Sequence, residues 1–216
     1  MLSMLVVGLG RFGQNLALNL MELENEVMVI DKDEDLINQM APHVTQAKIG
    51  DCMKEGVLEA LGVENFDICF VCISEDFQSS LEITSLLKDL GATWVVAKTN
   101  RDIHAKFLRK IGADEIIYPE RDMAQRAAVK YSAPNIFDYI EFTPEYAIFE
   151  LQVPSRWVGK SLKEVDVRSR YHINVIGQKN DQKVIPIISA DFVFLEGEHL
   201  LLAGSKKDLL ALSKEK

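Results

Sequence analysis

Cysteine is scarce in this chain of 216 residues, with three in all, at Cys52, Cys69 and Cys72. An odd and small count cannot form a disulfide framework, and it suits a reducing compartment. Long apolar runs are also missing. No uncharged stretch approaches the roughly 18 residues that a membrane helix requires. The start, MLSMLVVGLGRFG, lacks the basic region of a secretory signal and runs directly into glycines. A cytoplasmic protein is expected. Positive charge is the third deficit, with 24 Lys and Arg against 33 Asp and Glu for a net charge of −9. That balance excludes a general nucleic-acid binder, which needs a basic face to neutralise phosphates. The deficit is local, because residues 1–140 hold 13 basic and 22 acidic side chains whereas residues 141–216 hold 11 of each.

What is present is the composition of a globular protein, 48% hydrophobic and 26% charged. Cys69 and Cys72 have the spacing of a redox or metal pair, yet they lie within the apolar run Ile68–Ile73. Residues three apart on a strand point to opposite faces, so the two sulfurs are expected as core groups that do not converge.

The first 120 residues alternate β-branched runs with amphipathic stretches. Strands are predicted at Met4–Val7, Val27–Ile30, Thr45–Lys48, Ile68–Ile73, Trp94–Lys98 and Glu115–Tyr118. Helices are predicted at Phe12–Leu23, Glu34–Met40, Lys54–Leu61, Phe77–Leu90 and Asp102–Ile111. This rhythm specifies a Rossmann-like, doubly wound parallel sheet in an α/β lobe. A further helix follows over Glu120–Tyr131, and Ser132-Ala133-Pro134-Asn135 then breaks the pattern. The expected division is residues 1–135 as a nucleotide-binding lobe and 136–216 as a small α+β domain. The second lobe has strand-like runs at Ala147–Val153, Ile173–Ile176, Lys183–Ile187 and His199–Ala203, a capping box at Ser161-x-x-Glu164 and a terminal helix near Lys206–Leu212.

Gly8-Leu9-Gly10-Arg11-Phe12-Gly13 follows the first strand and opens the first helix. In that order the motif carries a mechanism. Gly8 makes the turn, Gly10 admits a pyrophosphate to the backbone, and Gly13 lets helix and strand pack closely. The anion then rests on unpaired helix N–H groups. Asp31 ends the second strand 18 residues after Gly13, where a carboxylate accepts hydrogen bonds from ribose hydroxyls and repels a 2′-phosphate. Its alternative role is capping the following helix. Asp51 and Ser74 follow the third and fourth strands at the same sheet edge, as ribose or adenosine contacts or as helix caps. Arg11, within the glycine loop, and Lys98, ending the fifth strand, are cations for phosphate. Glu120 is tolerable beside phosphates only with a divalent cation between them, or it serves the dipole of its own helix.

No catalytic residue is assigned. A dehydrogenase needs an acid or base against the nicotinamide, and the histidines after residue 140, His172 and His199, lie in strand-like contexts that favour structural roles. His43 and His104 have no metal-ligand spacing.

The segments VVGLGRFGQNLALNL, VIDKDEDLI, KIGDCM, VCISEDFQSSLEITSLLKDLGA, VVAKTNRDIHAKFLRKIGADEIIYPERDMAQRAA and LKEVDVRSRYHINVIGQ, with GEHLLLAG near the end, together closely resemble the RCK (TrkA-N plus TrkA-C) family. One copy of each lobe resembles its potassium-uptake regulatory subunits of the KtrA/KtrC type. The resemblance implies a regulator instead of an enzyme. Dimers would assemble into a homo-octameric ring, peripheral on the inner face of the membrane and docked on a KtrB/TrkH-like potassium transporter subunit. ATP and ADP would compete for the site, with NAD(H) as a further occupant and Mg2+ or another divalent cation as an auxiliary. The implied nucleotide-contacting set is Gly8, Gly10, Arg11, Phe12, Gly13, Asp31, Lys32, Asp51, Cys52, Ser74, Glu75, Lys98 and Glu120. Arg11 would reach the terminal phosphate across the dimer, and Glu120 would help hold the cation. Leu162, Val167, Arg168, Asn174 and Pro186 fall near the family's cyclic di-AMP site, although a charged strand beside a dimer core explains them equally well. The competing classes are an NAD-dependent oxidoreductase and a nucleotide-sensing module of a different membrane transporter.

Overall fold

The apolar runs at Ser3–Val7 (β1), Glu26–Asp31 (β2), Gln46–Ile49 (β3), Ile68–Val71 (β4), Val95–Lys98 (β5) and Glu115–Ile117 (β6) pair in parallel in the order β3-β2-β1-β4-β5-β6. This is the doubly wound arrangement, with its topological switch between β1 and β4. The computed structural model describes residues 1–54, 56–180, 183–187 and 189–214. Contacts divide the chain into two units, Met1–Arg121 and Asp122–Lys216.

Both faces of the central strands β1, β4 and β5 are covered, which explains their nearly continuous apolar runs, whereas the edge strands β3 and β6 are half-buried or exposed. Leu5, Val7, Ile30 and Cys69 enter one core with Ile83 and Leu87 of the helix Phe77–Asp89. Val6, Val27, Val29 and Cys72 enter the other with Ala17 of the helix Arg11–Glu22 and Ile37 of the helix Glu34–Met40. These helices are α1 (Arg11–Glu22), α2 (Glu34–Met40) and α3 (Phe77–Asp89), followed by α4 (Asp102–Lys110) and α5 (Pro119–Lys130). Cys69 and Cys72 therefore face opposite cores. Burial pushes both thiols up to about 12, where they are neutral at physiological pH.

The expected helix over Lys54–Leu61 is not formed. Glu55 lies outside the described residues, and the rest makes turns and one short 3-10 helix, Glu59–Leu61, with a second, Val63–Asn65, just beyond it. Gly56 has φ +80°, which interrupts any helix through this segment.

The second unit is built on an antiparallel sheet in the order β10-β9-β11-β8-β7, formed by β7 (Ile136–Glu141), β8 (Tyr146–Gln152), β9 (Ile173–Asn180), β10 (Lys183–Pro186) and β11 (His199–Ser205). Two short helices, α6 (Leu162–Val165) and α7 (Val167–Tyr171), and the terminal α8 (Lys206–Ser213) complete it. Its core contains Phe149, Leu151, Trp157, Phe194, Leu200 and Leu202 with Leu209 and Leu212 of α8. Ser161 and Glu164 form the predicted capping box. Among the described residues, no helix is long and apolar enough to cross a membrane.

Candidate nucleotide site

At the switch point the chain leaves β1 through Gly8, with φ +94°, and enters α1 at Gly10. The loop is closely packed at Gly13 and open at Gly10. A Cβ on Gly13 would lie 2.0 Å from the Gly8 carbonyl oxygen, which no side chain can occupy. A Cβ on Gly10 would meet nothing within 4 Å. The absence of a side chain at Gly10 therefore serves no packing need within the chain and leaves the backbone open to a ligand. Gly10 supplies no side-chain cap for α1, and the first turn has no acidic residue. Its N–H groups and positive dipole end thus suit an anion.

Asp31 is held in place by the loop itself. The Leu9 N–H donates to Asp31 Oδ2 at 2.5 Å, and the Asp33 N–H donates to Oδ1 at 3.0 Å. Capping of α2 falls instead to Asp33, which accepts from the Asp35 and Leu36 N–H groups. The carboxylate is consequently an oriented acceptor beside the glycine turn. A cavity of about 280 Å³ opens there, lined by Gly8, Asp31, Lys32, Asp51 and Cys52 of the predicted set. Asp51 accepts from the Met53 N–H at 3.1 Å, shaping its loop. Cys52 is 4% exposed, and burial, reinforced by the charges of Asp51 and Asp31, pushes its thiol up to about 12. It is an apolar wall group and not a nucleophile.

Among the other lining residues are the polar or flexible side chains Met53, Gln78 and Ser79, which the sequence reading did not name, and Asp76, which it placed in the edge loop without choosing it as a contact. Ser74 and Glu75, two of those it chose, lie in the loop after β4 just before Asp76 and do not line the cavity. Asp76 caps α3, and hydrogen bonds from the Ser79 hydroxyl and N–H hold its carboxyl below the ordinary range. The capping residue three positions before Ser79 was the available signal.

Lys98, Glu120 and Phe12 form a second group beside the loop. The Lys98 ammonium lies 2.8 Å from Glu120 Oε1 and 5.6 Å from the centre of the Phe12 ring. The hydrogen bond from Lys98 holds the Glu120 carboxyl below the ordinary range. The Arg11 side chain is exposed and has no hydrogen-bond or ion-pair partner among the described residues. Among the described residues, no group of three or more His, Cys, Asp or Glu side chains could hold a metal ion.

In the second unit, Arg168 Nε donates to Asn174 Oδ1 at 2.9 Å, bringing two of the five residues of the expected cyclic di-AMP set together. Leu162 opens α6 and is half-buried against the core, Pro186 ends the exposed strand β10, and Val167 is buried within the core. The Val167 side chain is 2% exposed. His199 is structural, its Nδ1 lying 2.8 Å from Glu150 Oε1, whereas His172 is exposed at the end of α7 with φ +57° and not in a strand.

Residues 4–119 match the TrkA-N domain and residues 146–216 the TrkA-C domain. The chain belongs to the TrkA-N/TrkA-C family. Within it, the chain is 40% identical over 209 residues to Ktr system potassium uptake protein C of Bacillus subtilis (strain 168), spanning 97% of this chain and 95% of that one. It is 33% identical over 210 residues to Ktr system potassium uptake protein A of the same organism, with the same two shares. Among solved structures, the GsuK channel superposes with a TM-score of 0.70 at 20% identity, covering 98% of this chain and 39% of that one. The GsuK channel bound to NAD gives 0.67 at 21%, covering 97% and 38%. This TrkA-N/TrkA-C chain thus spans less than half of those channel chains, and the likeness establishes a shared fold.

Proposed function

We propose that this protein is a nucleotide-sensing regulatory subunit of a potassium-uptake system and that it performs no chemistry on its ligand. The observation that carries the nucleotide reading is the Asp31 carboxylate, oriented by the Leu9 N–H beside an open glycine turn. An acceptor so placed suits two ribose hydroxyls and disfavours a 2′-phosphate. ADP, ATP or NAD(H) then lies with its adenosine end toward Asp31, Asp51 and Cys52 and its phosphates over Gly10 and the start of α1. GsuK structures bound to NAD and to ADP support this ligand class. Near full-length similarity to Ktr potassium-uptake proteins supports the physiological role.

In this reading residues 1–135 form the nucleotide lobe and residues 136–216 the C-lobe. Dimers build a homo-octameric ring on the inner face of the membrane, docked on a separate transporter subunit. Arg11 reaches the terminal phosphate across a dimer. A divalent cation has Glu120 as its protein ligand in this scheme. That carboxylate is already bonded to Lys98, so a cation would depend on phosphate oxygens for most of its shell, and no step is routed through it. The Arg168 and Asn174 pair is the polar element offered to cyclic di-AMP. The chain's own residues bind and orient the nucleotide, and a change of ligand acts only through unequal affinity for two conformations.

The test is calorimetric titration with ADP, ATP and NAD, followed by co-purification with a potassium transporter with and without ATP, scored by particle size and ion flux. Binding without ATP-dependent association would favour a different membrane partner. Turnover of a nicotinamide cofactor would favour an oxidoreductase.

A further inference from the structure

Lys98 is 9% exposed, so its ammonium depends on a compensating anion. The partner it has is unequal to it. Glu120, at the first turn of α5, keeps 62% of its side-chain exposure while accepting from Lys98 at 2.8 Å. Separating the pair leaves Glu120 solvated at little cost, whereas Lys98 would be left buried and unpaired. Lys98 also packs by the Phe12 ring, in the first turn of the helix whose start offers N–H groups to an anion. A phosphate over Gly10 would provide the anion that Lys98 needs.

We infer that Lys98 is an exchangeable counter-ion that pairs with Glu120 when the cleft is empty and transfers to the ligand's phosphate when it is filled, so that Glu120 and phosphate compete for one buried cation. This rests on the nucleotide reading above and adds a specific regulatory step to it. The released carboxylate belongs to α5, whose later turns are bonded elsewhere. Arg126 holds Asp138 of β7 at 2.9 and 3.1 Å, and Gln125 holds Glu141 at 3.0 Å. Gln125 and Arg126 already belong to the second unit, so the released carboxylate stands on the helix in which the chain passes from one unit to the next. In the absence of a divalent cation, Glu120 thus acts as an internal competitor of the ligand, and once released by Lys98 it is the carboxylate left free for a cation.

The competition makes the inference testable by titrating ADP in a chelating buffer free of divalent ions. Glu120→Gln is expected to bind ADP about three- to tenfold more tightly than the natural chain, because the competitor is removed. Lys98→Met should bind ADP more weakly, and adding Glu120→Gln in that background should change affinity less than twofold. An equal gain in both backgrounds would mean that Glu120 acts only as a general negative charge, and unchanged or weaker binding by Glu120→Gln would overturn the exchange outright. If Lys98→Met does not fold, the carboxyl resonance of Glu120 in the natural chain gives the answer. Its titration midpoint should rise toward the ordinary carboxylate value on ADP saturation, and an unmoved midpoint would refute the exchange. A natural chain that binds no nucleotide would defeat the underlying reading. Binding with no response to Glu120→Gln would defeat the exchange alone.

Discussion

Gly10 and Gly13 are three residues apart in one motif, and they are glycine for different reasons. At Gly13 an added methyl would strike the Gly8 carbonyl at 2.0 Å, so Gly13→Ala must displace backbone. It should cost about 1–3 kcal/mol of stability, read as a lowered thermal midpoint together with weaker nucleotide binding. At Gly10, with φ −60° and open space around the missing Cβ, alanine loses some N-cap preference but orders the unfolded chain, and stability should change by less than about 0.5 kcal/mol. Nucleotide affinity should nevertheless fall, since the methyl occupies the approach of the phosphates. A Gly10→Ala protein that melts normally and binds ADP normally would remove the glycine loop from the site. Asp31 carries the choice between ribose types. Asp31→Asn removes the charge that repels a 2′-phosphate, so the preference for NAD over NADP should narrow by roughly tenfold in parallel titrations. These residues were legible in the sequence because the motif and the end of β2 are set by local spacing. Met53, Asp76, Gln78 and Ser79 were not, because loop lengths after β3 and β4 decide which residues reach the cavity. The reading extended the fourth strand to Ile73, whereas β4 ends at Val71, and the cavity is reached by Ile73 and Asp76 on either side of Ser74 and Glu75 and by Gln78 and Ser79 of α3.

The central strands of the first sheet were legible as elements because burial on both faces gives nearly continuous apolar runs. β7 escaped notice for a physical reason. Its register shifts between Ile136 and Asp138, so buried Ile136 and Tyr139 are three apart and the two-residue alternation is broken. The helix expected over Lys54–Leu61 failed because a left-handed glycine outweighs a periodic set of apolar side chains. In the second unit, Glu150 couples three strands. It is 5% exposed on β8 and receives Lys179 of β9 at 2.5 Å and His199 of β11 at 2.8 Å. Burial alone would raise its carboxyl pKa, but the bonds from Lys179 and His199 outweigh burial and hold it below the ordinary range. A depressed folded pKa stabilises the native state above the unfolded value of about 4.3, and that stability is lost as pH falls through the folded value. The second unit should therefore weaken as the medium is acidified below about pH 4. Glu150→Gln should cost about 2–4 kcal/mol at neutral pH and flatten that acid dependence. Fluorescence of Trp157, buried in the same unit's core, can follow the melt. An unchanged acid slope in the variant would show that other carboxylates set it.

At the scale of the whole molecule, the net charge of −9 lies entirely within the first 140 residues, the part that contains the proposed site for a polyanion. Local geometry must then overcome an unfavourable background. In the proposed site the uncapped start of α1 and Lys98 would do this, and both would act on any phosphate chain. Neither distinguishes two phosphates from three. Discrimination requires a cation that contacts the terminal group alone, and the exposed Arg11 side chain, unpaired among the described residues, is suited to that contact on the same chain or a neighbouring copy. Since a regulator responds only to the difference between its ligands, the quantity to measure is the ratio of ATP to ADP affinity. Arg11→Ala should leave ADP affinity within about twofold while reducing the ATP preference by about tenfold or more, a loss of about 1.4 kcal/mol or more. Titrations of both nucleotides, paired with particle mass in each, separate the two contributions. A shift in mass or shape that accompanies ATP in the natural chain should disappear in the variant. Equal weakening of both ligands would assign Arg11 to the background field, and the sensing of the third phosphate would then have to come from elsewhere in the assembly.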